Sequence, residues 1–300
     1  MSSVGANNVE QVCQWCGNHF MGPALACPRC GSPLRRAARR DDAGWIDLPP
    51  IADMARIQLG GSSCQIEGRT VPVADFGLAA GDHVYFSHHV LLWRDDHVTL
   101  KQMSMRHGIK RLFAGLPVFM MEAHGPGHVA VSRDEPGETI AVPLNPGQHI
   151  HAREHTFVAA TGTVEYDYFL SGITMQMHKP GKDQNEVETI FPIGQYLDKF
   201  VAGNKPGLVL LHCAGDCFTR TLASGETLLI KPGALVYKEF GVSLGIHMEV
   251  PRNHSMFCRR HIWLRVTGPG RVAIQSCYPQ TEDENSSNLL TPFDAMPQNW

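Results

Sequence analysis

An all-β body behind a small N-terminal zinc-binding module is the fold class this sequence predicts, on three observations. The 300 residues include 29 glycines and 20 prolines while only 18% are charged, a turn-dense mix unlike the Ala-, Glu- and Lys-rich composition of helical bundles. Short apolar runs recur between glycine turns in a pattern that repeats three times. Four of the nine cysteines fall in one cluster near the start. With 43% hydrophobic residues, there is enough apolar material for a sizeable core.

The zinc module comes first in the chain. Cys13-Gln14-Trp15-Cys16-Gly17 is followed by Cys27-Pro28-Arg29-Cys30-Gly31. In each Cys-x-x-Cys-Gly knuckle the spacing lets two thiolates converge on one ion while the chain reverses, and the glycine opens the backbone toward the sulfurs. Two knuckles supply four thiolates, a closed tetrahedral shell for one structural Zn²⁺ with no position left for catalytic water. A pair of redox dithiols is the alternative, but the βαβ context of such a motif is absent. The segment holds few apolar residues, so the metal is expected to supply most of its folding energy. The ribbon is assigned to residues 11–34.

Residues 35–50 read as a linker. Arg35, Arg36, Arg39 and Arg40 would form a basic stripe on a helix, and beside a zinc ribbon that suggests a nucleic-acid contact. Asp41 and Asp42 offset half of that charge, which favours a solvated connection. Positive charge is local: residues 1–40 carry five Arg against one Glu, whereas residues 41–300 carry 21 basic and 28 acidic residues. A formal net charge of −3 excludes a strongly basic nucleic-acid binder on overall electrostatics.

From residue 51 to 278 the chain reads as one β domain with three repeats. Leu78-Ala-Ala-Gly81-Asp82-His-Val84 matches Leu144-Asn-Pro-Gly147-Gln148-His-Ile150 and Leu222-Ala-Ser-Gly225-Glu226-Thr-Leu228. In each, Leu ends a strand, glycine turns the chain, an acidic or amide residue follows, and an apolar residue re-enters the core. Apolar pairs follow at a fixed offset: Leu91-Leu92, Phe157-Val158 and Leu235-Val236. A second element also recurs, at Gly125-Pro126-Gly127 to Val131, Ala214-Gly215-Asp216-Cys217-Phe218, and Gly268-Pro269-Gly270 to Ile274. Strand-like approaches precede these at Val118 to Ala123, Leu208 to Cys213 and Ile262 to Val266. Polar crossovers are expected at about 104–115, 179–205 and 251–260, the middle one with helical spacing from Phe191 to Val201. The pattern gives one pseudo-symmetric domain rather than several. The tail, 279–300, has four acids and no base and reads as disordered.

These residues carry a resemblance. Gly268-Pro-Gly-Arg-Val-Ala-Ile-Gln-Ser276, its echo at 125–132 and the three Leu-x-x-Gly turns resemble the altered-inheritance-of-mitochondria family, in its bacterial domain-of-unknown-function branch, over roughly residues 60 to 277. The resemblance implies a β-sandwich similar to that of the tryptophan RNA-binding attenuation protein, with a tendency to self-associate. Mitochondrial members act in organising inner-membrane complexes and cristae. The family supplies no catalytic residues to carry over.

Residues 1 to 11 contain no Lys or Arg and no apolar core, so no signal or transit peptide is expected and the chain is assigned to the cytoplasm. The most apolar stretch, Leu112 to Met121, is broken by Gly115 and Pro117, far from the ~18 apolar residues of a membrane span. Cys64, Cys213, Cys217, Cys258 and Cys277 are odd in number and scattered, which suits a reducing compartment.

Chemistry elsewhere is sparse. His149, His151 and His155, near Glu154, would share one face of a strand and could bind a metal as in cupin enzymes, although the cupin glycine spacing is not met. His83, His88, His89 and His97 change faces along the strand. Cys213 and Cys217 flank a turn, and Glu165, Asp167 and Glu249 are isolated acids. No nucleophile elbow, phosphate loop or dinucleotide fingerprint occurs. The sequence thus predicts a non-enzymatic β-scaffold for self-association or a protein partner, with no small-molecule substrate. A cupin-like enzyme and nucleic-acid binding through Arg35–Arg40 are the alternatives.

Overall fold

The computed structural model describes residues 10–12, 18–21, 27–29, 46–47, 55–68, 70–103, 120–178, 187–249 and 261–278. Near the start, β1 (Glu10–Val12) pairs antiparallel with β2 (His19–Met21), and β3 (Ile46–Asp47) follows. Next in order are β4 (Ala55–Leu59), β5 (Ser62–Glu67), β6 (Val73–Leu78), β7 (His83–Ser87), β8 (Leu91–Arg94), β9 (Thr99–Gln102), β10 (Met120–His124), β11 (Gly127–Ser132) and β12 (Glu138–Leu144). Then come β13 (His149–Arg153), β14 (Phe157–Thr161), β15 (Val164–Leu170), β16 (Met175–His178), β17 (Val187–Ile190), β18 (Tyr196–Ala202) and β19 (Gly207–Cys213). The series closes with β20 (Cys217–Leu222), β21 (Thr227–Ile230), β22 (Leu235–Glu239), β23 (Ser243–Glu249), β24 (His261–Thr267) and β25 (Gly270–Gln275). Among the described residues the helical turns are short 3-10 turns at His88–Val90 and Pro232–Ala234. The all-β expectation holds, and no helix of the described residues is long and apolar enough to cross a membrane.

The chain divides into two compact units. The larger comprises Met1–His149, Thr156–Tyr166 and Phe200–Cys217, and the smaller Ile150–His155, Asp167–Lys199 and Phe218–Trp300. The division falls inside β13, β15, β18 and β20.

The larger unit is a sandwich. A six-stranded sheet of order β12-β19-β14-β7-β10-β9 packs against a five-stranded sheet of order β4-β5-β6-β11-β8. Val84, Phe86, Ala123, Ala159, Leu208 and Leu210 from the first meet Cys64, Ile66, Phe76, Val129 and Val131 from the second in one core. Period-two alternation sets this up: in β6 the buried residues are Ala74, Phe76 and Leu78.

In the smaller unit β22 pairs with β13 and β25, while β24 lies between β21 and β23. Its core gathers Leu197, Leu222, Leu235, Leu264, Val266 and Val272. A separate antiparallel pair joins β16 and β17.

Each Leu-x-x-Gly segment turns the chain in the same way. Gly81, Gly147 and Gly225 sit at φ 87, 78 and 77°, a region that suits glycine. Asp82, Gln148 and Glu226 each donate their N–H to the carbonyl three residues back. The apolar pairs downstream open β8, β14 and β22 as expected.

Two expectations need correction. The partner of the middle turn is Pro206-Gly207, not Ala214 to Phe218. Gly207 pairs with Leu144 as Gly127 pairs with Leu78, and Ala202 donates to the Gln148 carbonyl as Gly125 and Gly268 donate to those of Asp82 and Glu226. The Gly215 turn instead joins β19 to β20. Second, the 179–205 crossover contains β17 and β18, and the helical spacing from Phe191 to Val201 ends as a turn followed by a strand. Leu197, Asp198, Phe200 and Ala202 are buried in β18, so sheet pairing and burial override a coincidental three-to-four spacing. Residues 104–119, 179–186, 250–260 and 279–300 lie outside the described residues.

Candidate functional site

Of the four zinc-ligand candidates, Cys27 is described and buried. Cys13, Cys16 and Cys30 lie outside the described residues, as do Arg35, Arg36, Arg39 and Arg40.

The histidine row does not form. His149 and His151 lie on β13, but the strand ends at Arg153, and His155 sits in the following turn at φ 65° with its side chain exposed. Period-two reasoning applies only within a strand, so His155 leaves the shared face. Glu154 instead accepts the Tyr196 N–H. Among the described residues no three His, Cys, Asp or Glu side chains are gathered to hold a metal ion.

His151 belongs to a different arrangement, in the smaller unit. It is buried, and its ring lies 4.6 Å from that of Phe169 and 6.1 Å from that of Phe240, centroid to centroid. Phe169 is 37% exposed and Phe240 65%. Directly opposite His151 on β22 is Lys238, also buried, whose Nζ donates to the Val242 carbonyl at 2.7 Å. Burial pulls the Lys238 amine down to about 8 because the charged form is poorly solvated there. Two exposed phenyl rings over a buried imidazole beside a buried ammonium form an apolar surface with a polar floor.

The larger unit holds a second cluster on the outward face of its six-stranded sheet. His83 of β7 and His124 of β10 are direct cross-strand partners. Their rings stack at 4.8 Å and 20°. His124 Nε2 lies 2.9 Å from Glu122 Oε2. Burial, then the neighbouring His124, pushes the His83 imidazole below its ordinary value, although Glu122 and Asp82 act the other way. Gly162 lies against the His83 ring so closely that a Cβ there would overlap it.

A third group caps one end of β19. His212 is buried, its Nε2 3.9 Å from Glu135 Oε2, and neither ring nitrogen has a well-formed hydrogen bond. The other candidates are local. His88 and His89 meet edge to face, His97 lies beside Asp95 and Asp96, and Glu249 accepts from Trp263 Nε1. Cys213 and Cys217 are both buried, and Asp167 accepts the Tyr168 N–H. Sequence spacing carried no signal for the pairing of His124 with His83 or of Lys238 with His151, because each partner comes from a strand distant in the chain. Glu122 and His124, by contrast, stand at the period-two spacing of one strand.

Residues 64–277 match the model of a family described as mitochondrial biogenesis AIM24. No curated protein matches the sequence. A crystal structure of a Streptococcus pyogenes protein superposes with a TM-score of 0.53 at 18% identity, covering 72% of this chain and 94% of that one. At that identity the likeness is one of fold.

Proposed function

Since this chain belongs to the mitochondrial biogenesis AIM24 family, we propose that it is a non-enzymatic, cytoplasmic β-scaffold that assembles with further copies of itself. The pairing of Phe169 and Phe240 about His151 carries this reading. Large apolar side chains left exposed about a common neighbour, as these two are about His151, are characteristic of surfaces that associate. Cys13, Cys16, Cys27 and Cys30 hold one structural Zn²⁺ in a ribbon over 11–34, tethered by 35–50 to the body as an interaction module. The body, 51–278, is a three-repeat sandwich of the kind named above. The matched hydrogen bonds at Gly81, Gly147 and Gly225 support that reading.

Analytical ultracentrifugation of the full chain tests the assembly. The wild-type protein is expected to self-associate at micromolar concentration, and F169S/F240S to sediment as a monomer with an unchanged melting temperature. A wild-type chain that stays monomeric to the highest soluble concentration overturns the reading. Association undiminished in F169S/F240S removes this surface from it.

A further inference from the structure

The stacked histidines of the larger unit have a chemistry that scaffolding does not use. His83 and His124 face each other across adjacent antiparallel strands, a placement that brings two side chains within contact on one face of a sheet. Glu122, two residues before His124 on the same face, engages Nε2. With the proton held on that nitrogen, the Nδ1 lone pair of His124 is left to bind elsewhere. A carboxylate behind a histidine is the usual support for a ligating imidazole, since it fixes the tautomer and raises the ring's basicity. The absence of a side chain at Gly162 leaves room for the His83 ring, since a Cβ there would overlap its Cε1 and Nε2 atoms. Asp82 and Glu122 provide negative charge near His83, and Lys101, across from Glu122, opposes it in part.

We propose that His83 and His124 form a two-histidine binding site for a late first-row divalent transition metal, with Glu122 orienting His124 from behind. Imidazole donors suit Zn²⁺, Ni²⁺ and Cu²⁺ and disfavour Mg²⁺ and Ca²⁺. Donor nitrogens about 2.1 Å from a shared ion must lie within about 4 Å of each other, which a modest rotation from the stacked geometry allows. No third protein ligand is gathered there among the described residues, so water completes the shell and the ion is exchangeable. This site is independent of the Phe169–Phe240 surface, which lies in the other unit.

The test uses the full chain with its cysteine cluster saturated by Zn²⁺ and excess metal removed, titrated with Ni²⁺ by calorimetry. One equivalent is expected to bind with micromolar affinity. H83N and H124N are each expected to weaken it by more than about tenfold, E122Q by about tenfold, and H97N not at all. Absence of binding, or binding that survives in both histidine variants, overturns the proposal. Should those variants fail to fold, Ni²⁺-induced broadening of histidine ring resonances in the wild-type protein decides. Early loss of the His83 and His124 signals supports the site, and their persistence while others broaden refutes it.

Discussion

One methylene distinguishes the first turn of the body from its two counterparts. Gln148 and Glu226 reach back with their side-chain oxygens to accept the N–H of Asn145 and Ala223. The Ala223 N–H, helped by Arg220, thereby holds the Glu226 carboxyl below the usual carboxylate range despite some desolvation. Asp82 is shorter. There the Ala79 N–H donates to Ser62 Oγ at 2.9 Å, and the Ser62 hydroxyl donates to the Asp82 carboxylate. Ser62, buried on β5, relays a contact that the longer side chains make directly. S62A is therefore expected to cost about 1–2 kcal/mol, the usual penalty for a stranded buried donor. In a D82E background the same substitution should cost measurably less, because glutamate closes the turn unaided. Urea denaturation of the four proteins checks this, and equal costs in both backgrounds reject the relay.

At the scale of elements, what repeats is a close approach between two strands. Gly125 and Gly268 each lie against a Leu that ends a strand, Leu78 and Leu222, and against the next carbonyl, of Ala79 and Ala223. A Cβ at either glycine would collide with backbone that cannot swing aside. G125A and G268A are each expected to destabilise the protein by roughly 2 kcal/mol or more, measured as a fall in melting temperature. G245A, where the space is open, is the control expected to change little. The Leu-x-x-Gly turns were legible in the sequence because glycine at positive φ leaves a residue-type signature. The middle counterpart of Gly-Pro-Gly was not, because Asn204-Lys205-Pro206-Gly207 lacks the leading glycine while Ala214-Gly215 imitates it. Only the pairing of Gly207 with Leu144 separates them. The strand at Tyr196–Ala202 was hidden for a related reason: its inward set is fixed by neighbours that the local spacing does not encode.

Over the whole molecule, 16 histidines against a net charge of −3 make the pH response a matter of environment rather than count. His212 follows Leu208 and Leu210 on one face of β19, a face that forms core. Burial first, and the Arg133 guanidinium second, push its imidazole below the ordinary value, against the pull of Glu135 and the Pro136 carbonyl. The ring is thus neutral in the folded chain where an unfolded histidine still takes a proton. Its contribution to stability is complete above about pH 6.5 and is lost as the pH falls. By pH 5 the loss is expected to reach at most about 2 kcal/mol. H212L, which continues the leucine row, should melt higher at pH 5 and depend less on pH between 7 and 5. An unchanged pH slope in H212L rejects this assignment. Composition was enough to read the fold class, since glycine, proline and scarce charge speak for sheets. The meeting of His83 with His124, and the surroundings of Lys238 and His212, were illegible because each is assembled from segments far apart in the chain.

The strand order has a consequence for synthesis. A ribosome that has released the chain as far as residue 149 has delivered β12 and β7 but neither β14 nor β19, the two strands that join them. Until Thr161 emerges β7 carries an unsatisfied backbone edge, and until Cys213 emerges β12, and then β14 in place of β7, carry edges of the kind that recruit neighbouring chains. Contacts of such long sequence separation also form slowly. During that interval a nascent chain is at its most exposed to mispairing on a crowded polysome, and it is then that a chaperone covering open sheet edges would matter most.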